Sequence, residues 1–311
     1  MRLDINAKEG FGRMKTIYFD YKTVPTIQDS FSLCLGYFDG VHLGHQEVIN
    51  KALNSGLTGV MTFDVPPHFA TGQNLVNVCL TSLYDKCIIL EEMGVKYLYV
   101  LRTSKELLDI TRDDFVDKIL KKINPCKIFV GDDYRFGKEA KGTPNYLSTF
   151  FNVDVTPLLL MNNKKVSSRR IVELVDAGEV EKANKLLSRP YQITGLVIHG
   201  KGNGESIGFP TANLELDFPY VLPKVGVYYG LVSYLDKEYK ALICVSTHPS
   251  IMELNSPIIE VHLLYYSGDL YGKEIDVKFL GFIRDVLKFE NVDELKNQIK
   301  EDVNIAKKAF K

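Results

Sequence analysis

No apolar run in this 311-residue chain approaches the roughly 18–20 residues needed to span a bilayer, and the opening stretch, MRLDINAKEG, holds no apolar core of the kind that marks export. A membrane-spanning chain and a secreted one are therefore not expected, and a cytoplasmic location is. Cysteine is scarce and unpatterned. Cys34, Cys79, Cys87, Cys126 and Cys244 form no C-x-x-C pair and no metal-ligand spacing, which leaves reduced thiols as the simplest reading. Net charge is nearly absent as well: a formal −1 supplies no long-range pull toward nucleic acid or an anionic membrane, and neither is expected as a partner. No internal repeat is visible. Residues 1–13 are polar and unpatterned and read as an N-terminal tail, with Met14 as an alternative start.

What remains is a chain with 45% hydrophobic and 25% charged residues, enough for two domains. From residue 14 to 188 apolar strands alternate with helices: strand Phe31–Phe38, helix Gln46–Asn54, strand Leu57–Phe63, helix Thr81–Met93, strand Lys96–Leu101, helix Thr111–Ile123 and strand Lys127–Gly131. Such alternation implies parallel pairing through right-handed crossovers, hence a Rossmann-like α/β sheet. Chemistry then belongs in the loops leaving the carboxyl ends of the strands, of which three are unusual in composition: Gly36–His45, Asp64–Phe69 and Gly131–Gly137.

The first loop, in LCLGYFDGVHLGHQ, carries glycines and two histidines into a helix N-terminus. Gly36, Gly40 and Gly44 let backbone approach an anion, and the imidazoles of His42 and His45 can donate to phosphoryl oxygens whose charge grows in a transition state. The G-x-F-D-G-x-H-x-G-H string, which includes Phe38 and Asp39, resembles the phosphate-binding signature of the nucleotidyltransferase superfamily as found in prokaryotic FAD synthetases. The second loop, FDVPPHF, is similar to that family's T-F-x-P-H-P turn at Thr62, Phe63, Pro67 and His68, with one extra residue and Phe69 in place of a proline. GDDYRFG, the third, resembles V-G-x-D-F-x-F-G from Val130 to Gly137, which would place Phe63, His68, Asp132, Tyr134, Arg135 and Phe136 beside a flavin. Farther on, Ser167, Ser168 and Ile171 match the family's S-S-T-x-I-R, whose hydroxyls and arginine serve ATP phosphates. Arg169 replaces the threonine and Val172 the arginine, so Arg169 or Arg170 is expected to supply the guanidinium. Ser168 is expected to cap a helix there, with a second helix over Glu179–Ser188.

From residue 189 to 311 the pattern changes to short β-branched and aromatic runs, Ile193–Ile198, Val227–Tyr234, Lys240–Val245, Ile258–Tyr266 and Ile275–Phe282, separated by Gly, Pro and Asp turns. An antiparallel β-barrel is predicted, followed by a C-terminal helix from about Asn291 with Glu294 three residues on and Leu295, Ile299, Val303 and Ala306 on one face. HGKGNGESIGFPTANL resembles the glycine-bearing loop and G-F-P-T-A-N segment of riboflavin kinases. The resemblance implies ATP at Gly200, Gly204, Gly208 and Pro210, Mg²⁺ held by Thr211 and Asn213, Glu260 as general base and Arg284 at flavin or phosphate. Two departures stand out: Glu205 where a basic residue is usual, and Cys244–Ile251 in place of N-I-G-x-x-P-T.

After residue 14 the resemblance covers nearly the whole chain and implies a bifunctional riboflavin kinase/FAD synthetase, with ATP, riboflavin, FMN and FAD as substrates or products and Mg²⁺ as cofactor. Two alternatives stay open at this point: an FMN adenylyltransferase with a silent barrel that binds flavin or nucleotide, and a non-enzymatic flavin-sensing module.

Overall fold

The computed structural model describes residues 14–66, 78–199, 208–247 and 257–310. Its chain divides into two compact units, one closing at Ser168 and the other running from Arg169 and taking in Val78–Leu80.

In the first unit, strands β1 (Lys15–Phe19), β2 (Ser32–Leu35), β3 (Thr58–Phe63), β4 (Tyr97–Leu101), β5 (Lys127–Gly131) and β6 (Val153–Thr156) form one sheet in the order β1-β4-β3-β2-β5-β6. Every pair is parallel, as the alternation with helices predicts. Strands covered on both faces need no polar alternation, and TGVMTF and YLYVL have little. One face buries Leu33, Leu35, Met61 and Tyr99, and the other buries Cys34, Val60 and Val100 against Ile49 of α1 (Leu43–Asn54) and Leu90 of α2 (Leu83–Glu92). Because β3 lies on one side of β2 and β5 on the other, the strand order reverses at β2/β5, and the crevice beyond their carboxyl ends is where such sheets bind ligands.

Local chemistry moves some boundaries. α2 starts at Leu83 rather than Thr81 because Ser82 and Asp85 form a capping box, the Ser82 hydroxyl accepting from the Asp85 N–H at 3.1 Å and the carboxylate accepting from the Ser82 N–H at 2.9 Å. Thr111 caps α3 as expected; this helix begins at Arg112–Phe115, takes a π turn over Val116–Leu120 and ends at Lys121–Ile123. A small hairpin, β7 (Leu160–Met161) and β8 (Lys164–Lys165), turns on Asn162 and Asn163, both left-handed, which asparagine tolerates best after glycine.

α4 (Ser168–Asp176), from its second residue on, and α5 (Val180–Leu187) belong to the second unit. The division expected after residue 188 thus lies beyond both helices, and contacts of each show why they go with the barrel: the Val175 carbonyl of α4 accepts from the Lys224 N–H at 3.3 Å. Asn184 donates to the Phe279 carbonyl at 2.8 Å and accepts from the Tyr191 N–H at 2.7 Å, while the Glu181 carboxylate accepts from the Phe282 N–H at 3.2 Å. Strands β9 (Tyr191–Ile198), β10 (Ala212–Glu215), β11 (Gly226–Tyr234), β12 (Lys237–Thr247), β13 (Pro257–Leu263) and β14 (Glu274–Arg284) close into an antiparallel barrel in the order β10-β13-β12-β11-β14-β9. The short strand β10, inside the glycine- and proline-bearing motif, is the one the β-branched runs did not announce. Cys79 adds a parallel bridge to Tyr220. Ile193, Tyr228, Val232, Ile243, Val261, Val277 and Phe279 fill the interior. The last helix, α6 (Val292–Ala309), is capped by Asn291, whose side-chain oxygen accepts from the Glu294 N–H at 2.9 Å.

Candidate active sites

β2 ends at Leu35, short of the expected Phe38, because the chain needs left-handed backbone almost at once: Phe38 has φ 55°, Gly40 75° and Val41 38°. Gly36 is required by space, since a Cβ there would stand 2.9 Å from the Phe38 ring. α1 then starts three residues before the expected Gln46. His42 is its cap, with Nδ1 accepting from the His45 N–H at 3.3 Å and its carbonyl accepting from the N–H groups of His45 (2.7 Å) and Gln46 (2.9 Å). A capping imidazole is rare beside Ser, Thr, Asp and Asn, which is why the start was misplaced. The rings of His42 and His45 stack at 3.6 Å and 15°. Gly44 leaves room for that stack, as a Cβ would come within 3.2 Å of His42 Cε1.

Asp39 holds the loop: its carboxylate accepts from the N–H and hydroxyl of Thr81, both at 3.2 Å, and the Gly40 N–H donates to the Thr81 hydroxyl at 3.0 Å. Ser168 lies inside α4 rather than capping it, and its hydroxyl donates to the Asp39 carbonyl at 2.9 Å. The two serines of the S-S pair are therefore tied to the histidine loop through Ser168, with Ser167 beside it in sequence. Arg169 and Arg170 follow in the first turn of α4; Arg169 is exposed and bonded to Glu173 at 3.2 Å, and Arg170 is half-buried.

Beyond β5, the Tyr134 N–H turns back to the Gly131 carbonyl at 3.0 Å, and Arg135 folds onto the carbonyls of Asp132 and Tyr134 at 3.2 and 2.7 Å. Tyr134 stacks on Phe136 at 5.7 Å, but Phe136 is buried in the core against Phe115. Of the two rings, Tyr134 keeps exposed surface, and partial burial pushes its phenol up. Asp132 is exposed, and Phe63 ends β3 half-buried. His68, Gly200, Gly204 and Glu205 lie outside the described residues.

In the barrel, Asn213 of β10 stands opposite Glu260 of β13, and Glu260 in turn stands opposite Cys244 of β12. Ile259 and Val261 point into the barrel, so Glu260 and its two neighbours share the outer face. Thr211 is half-buried just before β10, and Gly208 takes φ 84°. His262, two residues along β13, is bonded through Nδ1 to the Pro210 carbonyl at 2.8 Å; since a carbonyl only accepts, Nδ1 carries the proton. The Arg284 guanidinium is held by buried Asp302 of α6, Nε to Oδ1 at 2.9 Å and Nη2 to Oδ2 at 2.6 Å. That pair docks the terminal helix, a role the sequence pattern did not assign to Arg284.

Thr211 and Asn213 offer side-chain oxygens, the hard donors that Mg²⁺ selects.

Family models for FAD synthetase and riboflavin kinase match residues 24–170 and 187–310. Curated relatives align end to end: the bifunctional riboflavin kinase/FMN adenylyltransferases of Listeria monocytogenes (34% identical, 93% of this chain and 96% of that one), Bacillus subtilis (34%, 96% and 98%) and Escherichia coli K12 (32%, 91% and 94%). The chain belongs to the bifunctional riboflavin kinase/FMN adenylyltransferase family. A solved Streptococcus pneumoniae structure titled as a macrolide-efflux protein shares the family member's fold over 94% of this chain and 98% of that one, with a TM-score of 0.88 and 31% identity. Among the described residues of this family member no helix is long and apolar enough to cross a membrane.

Three residues bonded to segments that carry the candidate site residues were not picked out from the sequence: Thr81, Lys86 (Nζ to the Tyr37 carbonyl at 2.6 Å) and His262. Lys86 was legible in principle, because it falls on the apolar face of α2 three residues after Leu83 and four before Leu90, where a lysine needs a reason.

Proposed function

We infer that this protein makes FAD in two steps, phosphorylating riboflavin to FMN in the barrel unit and adenylylating FMN in the α/β unit. Both activities rest on end-to-end similarity to relatives bearing that name and on both family models. One observation carries the assignment of residues: the paired site features in each unit, stacked His42 and His45 at a helix N-terminus and Asn213 opposite Glu260 on the barrel's outer face.

In the first step Glu260 takes the proton of the riboflavin hydroxyl as that oxygen attacks the γ-phosphorus of ATP, and ADP leaves. Thr211 and Asn213 would hold Mg²⁺, which when bound neutralises charge on the ATP phosphates. Gly208 and Pro210 shape the backbone beside them. In the second step a phosphate oxygen of FMN attacks the α-phosphorus of another ATP and pyrophosphate leaves. His42 and His45 donate to phosphoryl oxygens as charge builds, the N-terminus of α1 favours the same charge, and Ser167 and Ser168 complete the anion site. Tyr134 and Phe63 offer ring faces to the isoalloxazine, with Asp132 at its polar edge.

Separate assays with ATP and Mg²⁺, one from riboflavin and one from FMN, test the reading. FMN from the first and FAD from the second are expected. FAD from FMN with riboflavin untouched would reduce the barrel to a binding module.

A further inference from the structure

We propose that Lys86 is a positioning residue for adenylyl transfer, aiming the Phe38 N–H at the triphosphate by anchoring the carbonyl of the same peptide group. The Lys86 side chain is 1% exposed, an uncommon state for an amine. Its Nζ donates to the Tyr37 carbonyl at 2.6 Å and to the Thr62 hydroxyl at 3.2 Å, and the Thr62 hydroxyl itself donates to the Tyr37 carbonyl at 2.8 Å. Nζ also stands 3.9 Å from the centre of the Tyr37 ring. Two donors on neighbouring elements, α2 and β3, thus converge on one backbone oxygen.

That oxygen belongs to the peptide joining Tyr37 to Phe38, which is trans like every described peptide bond. In a trans peptide the C=O and N–H point in opposite directions. Drawing the carbonyl toward β3 and α2 sends the Phe38 N–H away from them, toward the β5 side of β2, where the strand order reverses. Phe38 sits in the left-handed region at φ 55°, ψ 38°, a conformation this anchoring helps to hold. The lysine reaches the substrate only through this peptide group, so it is not a catalytic residue.

The proposal rests on assigning Gly36–His45 to adenylyl transfer. FAD formation by the unaltered protein tests that assignment, and the variants test the lysine. Lys86→Met keeps the length of the side chain and removes the donor. Its kcat for FAD from FMN is expected to fall about 100-fold, the scale seen on losing one preorganised donor. The KM for FMN should hold, pyrophosphate should inhibit more weakly, and riboflavin phosphorylation by the same preparation should stay within about twofold of the parent. Thr62→Val removes one of the two donors and keeps the lysine, so a smaller fall of about fivefold is expected. Unchanged kcat in either variant overturns the proposal, as does a loss expressed only in the KM for FMN. If Lys86→Met fails to fold, Thr62→Val decides alone.

Discussion

Asn213 and Glu260 stand opposite each other in the antiparallel register of β10 and β13, an amide facing a carboxylate on the outer wall of a closed barrel. Directly opposed residues have Cα atoms about 4.5–5.5 Å apart, so the two side chains can reach one ligand without any loop having to close. Their relative placement is set by the sheet itself.

Glu260→Gln keeps the shape and removes the ionisable carboxylate proposed as the base. The rate of FMN formation from riboflavin should drop about a thousandfold while FAD formation from added FMN is untouched. Chromatographic separation of the two products reads both in one sample; equal losses would argue against a role confined to the barrel.

His42 is both the cap of α1 and a member of the ring stack. His42→Asn puts a capping oxygen in place of the Nδ1 acceptor, asparagine being among the best N-caps, and so isolates the imidazole. FAD formation should fall about 100-fold with the thermal transition of the protein nearly unmoved. A large loss of stability with little change in rate would assign His42 to the cap alone.

How much of this was legible in the sequence depends on whether the deciding force was local. Parallel strands, the barrel, the Asn291 cap and the Gly36–His45 loop follow from short-range patterns in apolar spacing and turn chemistry. The early end of β2 and the histidine cap do not, because φ angles at Phe38 and Val41 are set by packing of the loop, and no residue type there announces them. Ser168 read as a cap because serine usually is one; its bond to the Asp39 carbonyl joins positions far apart in the chain. Helix α5 looked like the tail of the first domain until its bonds to β9 and β14 placed it with the second.

Removing the His262 imidazole should loosen the segment that carries Thr211, since His262 holds the Pro210 carbonyl at 2.8 Å. His262→Ala is expected to raise the KM for ATP in riboflavin phosphorylation about fivefold, the worth of one hydrogen bond, and His262→Asn, which can still donate, less. Steady-state kinetics with riboflavin saturating makes the comparison.

Arg284→Met leaves the Asp302 carboxylate, 1% exposed, without its guanidinium. The barrel transition in urea should lose about 3 kcal/mol, and the double variant Arg284→Met with Asp302→Leu should recover much of that, because an unpaired buried charge costs more than an apolar pair. Failure of the second change to restore stability would show that the pair contributes more than mutual neutralisation.

Burial, and after it the Glu260 carboxylate, raise the Cys244 thiol from 9.0 to about 11. The native state therefore keeps this proton when the unfolded chain has lost it, and its contribution to stability is present below pH 9.0 and fades as pH climbs toward about 11. At pH 8 the thiolate should be about 100-fold scarcer than in an ordinary thiol. Iodoacetamide followed by peptide mass mapping should mark exposed Cys126 first and Cys244 last among these two; comparable rates would contradict the shift.

Val78–Leu80, early in the chain, belongs to the later unit, where Cys79 exchanges backbone bonds with Pro219 and Val221 at 3.0 Å each. A ribosome delivers Cys79 long before its partners, so this part of the second unit must wait for them. Contacts so distant in sequence are slow to close. A gene fragment opened at Arg169 would encode the barrel without a piece that packs with it, and adding the missing tripeptide segment back by fusion would be the repair.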